Sequence, residues 1–229
     1  MNSFASPQTL TALPFPRPAD DLYSRVFDAI LEQRIHAASR FTEESLAQMF
    51  NARRSDIRGV LTRLSHQQVI VLRANHRPRV AAPDIEHTRQ IFHARRLTET
   101  TLVKLACQQP RPQDLKRLYA LIDSERQCIA RGPAIRLSGE FHLQMAEMAG
   151  NAPLAHFLGS LVPLTSLAIA QFDAQAEGYC VWQVHAGILD SVERGDAAMA
   201  VALMNRHLDH LEETLLNAGS MLSPNRAAG

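Results

Sequence analysis

"LAQMFNARRSDIRGVLTRL" spans residues 46–64 and holds two short apolar-patterned segments around an arginine-rich break. On its C-terminal side Ile57, Val60, Leu61 and Leu64 fall on one stripe of a helix over about 54–67, with Ser55, Arg58, Thr62 and Ser65 opposite. On its N-terminal side the pattern gives a shorter helix from Glu43 to Phe50, with Thr42 as N-cap and Leu46, Met49 and Phe50 directed inward. Further upstream, Asp20 or Asp21 is the expected N-cap of a helix carrying Leu22, Val26, Phe27 and Ile30. Downstream, "VIVLRANHRPRVAA" (69–82) places two β-prone runs around a polar turn and reads as a hairpin. Three helices and a hairpin within 20–83 make a winged helix-turn-helix.

The formal net charge is only +1, yet residues 20–83 carry ten arginines against seven acids, while residues 84–229 carry thirteen basic and sixteen acidic side chains. Between 53 and 79 there are seven arginines and one acid, Asp56. A basic patch on a near-neutral protein is the footprint of a site-specific polyanion binder, although a few arginines can also make an ordinary solvated face. The second helix of a helix-turn-helix enters the DNA major groove with its N-terminal residues foremost. Arg53, Arg54, Ser55 and Arg58 suit that geometry, because long cations reach phosphates or the acceptor edge of guanine and the helix end favours phosphate oxygens. Winged helices also serve as protein-contact modules, so the pattern alone leaves both readings open.

From residue 84 onward the spacing is helical, over 84–108, 112–131, 133–149, 152–171, 176–194 and 196–218, with breaks at Pro110/Pro112, Gly132-Pro133, Gly150-Asn151 and Gly195-Asp196. The expected fold is therefore mainly α: a winged helix-turn-helix with a small β-hairpin wing at 20–83, then an all-α helical bundle at 84–218. The stretches 1–19 and 219–229 read as tails. Apolar content of 46% and charged content of 21% are those of an ordinary globular chain. No apolar run is expected to approach the roughly 20 residues a membrane helix needs, and the N-terminus lacks a basic start followed by an apolar stretch, so it does not read as a signal peptide. Cys107, Cys128 and Cys180 form no CxxC pair and are expected to be reduced, buried thiols, which fits a cytoplasmic setting.

Of ten histidines, His142, His185 and His207 differ in setting: each lies among apolar neighbours in an amphipathic segment, on three separate helices. Spacing alone leaves a metal cluster and satisfied core histidines both open.

"FTEESLAQMFNARRSDIRGVLTRL" (41–64) resembles the GntR family of bacterial transcription regulators through Thr42, Glu43, Leu46, Ala47, Arg54, Arg58, Leu61, Arg63 and Leu64. The resemblance implies that Arg54 and Arg58 contact operator DNA and that Ser55 meets the backbone or a base. Three departures stand out: Arg53 replaces the usual serine cap, Asp56 the usual proline, and Gln68 the glycine after the helix. In the wing, "ANHRPRV" puts Arg77 at the glycine position, where Arg77 and Arg79 add attraction for phosphate.

The helical part resembles the FCD ligand-binding domain of the FadR subfamily. The carrying residues are Arg95-x-x-x-Glu99, Phe141-His142, Gly150-Asn151-x-x-Leu154, His185-x-x-Ile188-Leu189, Gly195-Asp196 and His207-Leu208. The resemblance implies a divalent metal, Zn or Ni, held by His142, His185 and His207, and a small organic-acid effector bound against it. The family's fourth ligand, an aspartate four residues before the first histidine, is Ser138 here. Glu140 cannot replace it, since two residues along a helix turn a side chain by about 200°. Arg95 is a candidate partner for an effector carboxylate, with Ser138 beside it, and an ion pair with Glu99 is the competing role for that arginine. Without metal, the histidines would instead bind an anion directly. These readings add up to a homodimeric, effector-responsive regulator of double-stranded operator DNA that is neither an enzyme nor a membrane protein. The alternative is a three-histidine metal-dependent enzyme with an N-terminal association module.

Overall fold

The computed structural model describes residues 18–172 and 182–222. The expected tails beyond those limits, and Cys180, lie outside the described residues. Within them the chain forms nine helices and one two-stranded antiparallel sheet: α1 (Pro18–Leu31), α2 (Glu43–Phe50), α3 (Arg54–His66), β1 (Ile70–Val71), β2 (Arg79–Val80), α4 (Ile85–Gln108), α5 (Pro112–Gln127), α6 (Arg131–Met148), α7 (Ala152–Phe172), α8 (Trp182–Glu193) and α9 (Ala197–Leu222).

Local chemistry sets most of these boundaries. Thr42 caps α2 by accepting from the Ser45 backbone N–H, while the Ser45 hydroxyl accepts from the Thr42 N–H, so two orphan donors of the helix end are satisfied reciprocally. Asp84, Asn151 and Asp196 accept from the third backbone N–H beyond them, at the starts of α4, α7 and α9. In the N-terminal part α3 packs against α1, α2 and β1. Ile57, Val60, Leu61 and Leu64 are buried against Val26, Ile30, Leu46 and Phe50. The hairpin pairs Ile70 with Val80 and Val71 with Arg79. Its glycine-free turn closes through Asn75 at φ 59°, and Gln68, at φ 59°, takes the left-handed conformation where a glycine was expected.

Four expectations need correcting. Helix α1 already runs through Asp20 and Asp21, so neither is its N-cap. Met49 is 58% exposed, because the short α2 buries only the side carrying Leu46, Ala47 and Phe50. Gly132-Pro133 is no break: α6 starts at Arg131 and α5 ends at Gln127. A proline in the first turn costs the helix nothing, since the N–H it lacks has no intrahelical acceptor there. Finally, α7 is long and apolar enough, by length and composition alone, to cross a membrane. Its residues Leu158 and Leu161–Ala170 are buried, and it packs against α4, α6 and α9 as the interior helix of the bundle. Of the thiols, Cys107 is buried and Cys128 is half-buried.

Helices α4 to α9 form the bundle, and α1 lies against α6 and α7, so one apolar core runs from the N-terminal helices into the bundle. Polar contacts fasten that seam. Arg136 on α6 grips Asp28 on α1 through two hydrogen bonds of 2.7 and 3.2 Å, and Arg131 donates to the carbonyls of Leu31 and Ala170.

Candidate metal centre and nucleic-acid interface

Five helices converge on one buried polar cluster. Helix α6 supplies His142, α8 His185 and α9 His207; α4 adds Arg95 and Glu99, and α5 adds Glu125. All six are no more than 4% exposed. The potential ligand atoms of the three histidines lie within 4.8 Å of one another, close enough for modest settling to bring each to the roughly 2.0–2.1 Å of a zinc–imidazole bond. Phe141 stacks on the His185 ring at 4.1 Å between centroids and limits its rotation.

The hydrogen bonds fix which nitrogens face the centre. His142 Nδ1 lies 2.5 Å from Glu99 Oε2, and His185 Nδ1 lies 2.8 Å from Glu125 Oε2. A carboxylate only accepts, so each Nδ1 carries the hydrogen and donates it, leaving the Nε2 lone pair free. The Nε2 atoms of His185 and His207 are buried with no protein partner. Burial depresses the His142 imidazole to about 4 despite the neighbouring Glu99, and it pushes His207 well below the usual histidine range, with further depression from the positive charge of its neighbours. Burial acts in the opposite sense on Glu99, but Arg95 and His142 overcome it and hold the carboxyl at about 2. Three buried imidazoles, two of them oriented by a carboxylate behind the ring and two with an orphaned Nε2, make a donor set that could hold a metal ion. The residues present fit a divalent ion.

Arg95 makes the ion pair with Glu99: its Nε bonds Glu99 Oε1 at 2.6 Å, while one terminal nitrogen, Nη2, is buried without a hydrogen-bond partner. Ser138 is buried on α6, one turn before His142 on the same face, and places a hydroxyl where the family resemblance expects a carboxylate. Sequence reasoning missed Glu125. The available signal was an acid at the next position of the stripe Leu118, Leu121 and Ile122 that α5 buries.

The basic module presents a different picture. Arg53, Arg54, Ser55 and Arg58 all lie exposed at or near the start of α3, and Arg77 and Arg79 are exposed on the wing. The α3 arginines are already paired. Arg58 forks onto Glu43 at 2.9 and 2.8 Å, Arg54 reaches Glu43 and Glu44, and Arg53 bonds Asp56 at 2.9 Å. The hydrogen bond from Arg58 holds the Glu43 carboxyl below the usual range. With the arginine side chains 60 to 84% exposed, such pairs are weak and exchangeable for phosphate. Asp56, which would repel phosphate if left bare, is covered by Arg53.

A family model, the FCD domain, matches residues 90–210. The HTH-type transcriptional repressor NanR of Cronobacter sakazakii (strain ATCC BAA-894) is 26% identical over 198 residues, which is 76% of this chain and 75% of that protein. Among solved structures, E. coli McbR/YncC superposes with a TM-score of 0.71 at 15% identity, covering 89% of this chain and 99% of that one. A putative transcriptional regulator GntR from Rhodococcus sp. RHA1 gives 0.69 at 17% identity, over 87% and 98%. At such identities the structural matches speak for the fold.

Proposed function

The chain belongs to the FCD family, as a GntR-type regulator of the FadR kind, and from that premise we propose that it binds operator DNA through α3 and its wing and senses a small organic acid at the histidine cluster. One observation carries the sensing half: three buried imidazoles on three helices, those of His185 and His207 with partnerless Nε2 atoms, in the same chain that bears the arginine-rich α3. His142, His185 and His207 would hold a divalent ion, Zn or Ni, and Glu99 and Glu125 keep two of the rings oriented toward it. When bound, the ion supplies a positive centre that attracts an effector carboxylate. Arg95 Nη2 donates to the other side of that carboxylate, and the Ser138 hydroxyl hydrogen-bonds it.

Arg54 and Arg58 read the major groove, Arg53 and Ser55 meet the backbone, and Arg77 and Arg79 steady the wing on phosphates. A homodimer presents two such modules to a near-palindromic site, and the place of action is the bacterial cytoplasm. The relatives are regulators, and the alternative of a three-histidine metal-dependent enzyme finds no support among them.

The test is selection of bound sequences from a random DNA library by the full chain, followed by titration of the enriched site with and without a panel of small organic acids. A regulator enriches a two-fold site, and its affinity changes about 5- to 150-fold with one acid. No enriched site would overturn the DNA-binding role, and an enriched site indifferent to every acid would overturn the organic-acid role.

A further inference from the structure

The buried cluster contains two carboxylates that are not equivalent. Glu99 bonds Arg95 Nε through Oε1, so its charge is offset by a guanidinium 2.6 Å away. Among the described residues Glu125 has no arginine or lysine partner; its carboxylate is hydrogen-bonded to the His185 ring through Oε2, and its Oε1 is buried without any hydrogen bond. Its side chain is 1% exposed. An uncompensated carboxylate in such a place is costly unless positive charge comes to it. The His185 ring connects Glu125 to the histidine cluster: its Nδ1 is held by Glu125, and its Nε2, on the opposite edge, is buried without a partner beside His142 and His207.

Ser138 supplies the complementary observation. Nothing on α6 brings a negative charge to the ion from one turn before His142. We propose that Glu125 on α5 takes over the electrostatic role of the missing carboxylate, acting through His185 as the charge-compensating and positioning residue of the metal centre. The proposal rests on the metal reading above. It places the negative charge behind a ligand instead of on the ion, so the ion keeps more exchangeable positions for an incoming anion than a site with a carboxylate ligand.

The experiment is calorimetric titration of the chelator-stripped full chain with Ni²⁺ or Zn²⁺ alone, for the wild type, Glu125→Gln, Ser138→Asp and the double variant. Glu125→Gln keeps the shape of the side chain and is expected to weaken metal binding about 10- to 100-fold. Ser138→Asp is expected to restore most of that loss in the Glu125→Gln background and to gain less in the wild type, because a charge is already present there. A merely structural glutamate would show no such rescue from a residue on another helix.

Glu125→Gln binding within twofold of the wild type, or no recovery in the double variant, overturns the proposal and leaves the metal reading intact. A wild type that takes up no metal overturns both. Should Glu125→Gln fail to fold by circular dichroism, Glu125→Asp decides. It keeps the charge and is expected to lose less than tenfold, whereas a loss as complete as that of His185→Ala overturns the proposal.

Discussion

Arg58 is held by Glu43 before any nucleic acid arrives, its Nε and Nη2 donating to the two carboxylate oxygens at 2.9 and 2.8 Å. The clamp has two consequences at a DNA surface: it limits where the arginine can point, and it places a negative charge near the phosphates. Arg58→Ala is expected to weaken binding to the selected site by about tenfold to a hundredfold, with less effect on random DNA. Glu43→Gln is expected to strengthen binding to random DNA at low salt, to reduce the preference for the selected site, and to leave the melting temperature nearly unchanged. Fluorescence anisotropy against both duplexes measures each effect. Equal losses on specific and random DNA for Arg58→Ala would place this arginine on a phosphate instead of a base.

The imidazoles of His142 and His207 make a prediction about acid. In the unfolded chain a histidine takes a proton near 6.5, whereas burial keeps folded His142 neutral down to about 4. The unfolded state therefore binds more protons between those values, and stability falls as pH drops through that window. Glu99 adds a second loss at lower pH, between 4.5 and about 2, where the folded carboxylate stays charged and the unfolded one does not. Chelator-stripped protein should show a lower urea midpoint at pH 5 than at pH 7.5, and an unchanged midpoint would contradict the neutral assignment.

Helices α6 and α1 approach each other closely at Gly132. A Cβ on Gly132 would come within 2.7 Å of the Asp28 carbonyl oxygen and of the Glu32 side chain. The carbonyl belongs to a helix backbone and cannot rotate away, so Gly132→Ala must separate the two helices. The expected cost is about 1–3 kcal/mol, read as a lowered melting temperature. The same separation would strain the Arg136 grip on Asp28, whose carboxyl is pushed up by burial even though Arg136 pulls it down. This seam joins the helix that carries Ser138 and His142 to the first helix of the arginine-bearing part. A substitution there is therefore also expected to reduce the response of DNA affinity to effector. Gly132→Ala melting like the wild type would mean that the helices tolerate a wider spacing.

For the whole molecule, the metal reading requires linkage between ligand and stability. An ion that binds only the folded chain adds about 2.7 kcal/mol when its free concentration is a hundred times its dissociation constant. The melting temperature should fall on chelation and recover with Zn²⁺ or Ni²⁺, and His185→Ala should abolish the recovery. Because the ligands come from three helices and their supports from two more, the gain belongs to the closure of the bundle as a unit. The dimer is tested at the same scale by sedimentation velocity at micromolar concentration without DNA. Leu97 and Met199 are exposed on the bundle at 64% and 48%. A chain that sediments only as monomer would remove the two-fold reader.

Local patterns carried much of this organisation. The Thr42 cap, the α3 stripe of Ile57, Val60, Leu61 and Leu64, the hairpin and the run of bundle helices were legible in the sequence, because caps and periodicity depend on residues only a few positions apart. The three histidines could be singled out for the same reason, each sitting on the apolar side of its own helix. Only the tertiary structure brought them within 4.8 Å of one another, set Glu125 behind a histidine 60 residues later, and folded Glu43 over an arginine 15 residues away. It also turned Met49 outward and made the membrane-length α7 an interior helix. The physical reason is that a helix's own sequence fixes which side is apolar, but which neighbour meets that side, and at what depth, follows from how all the faces pack together.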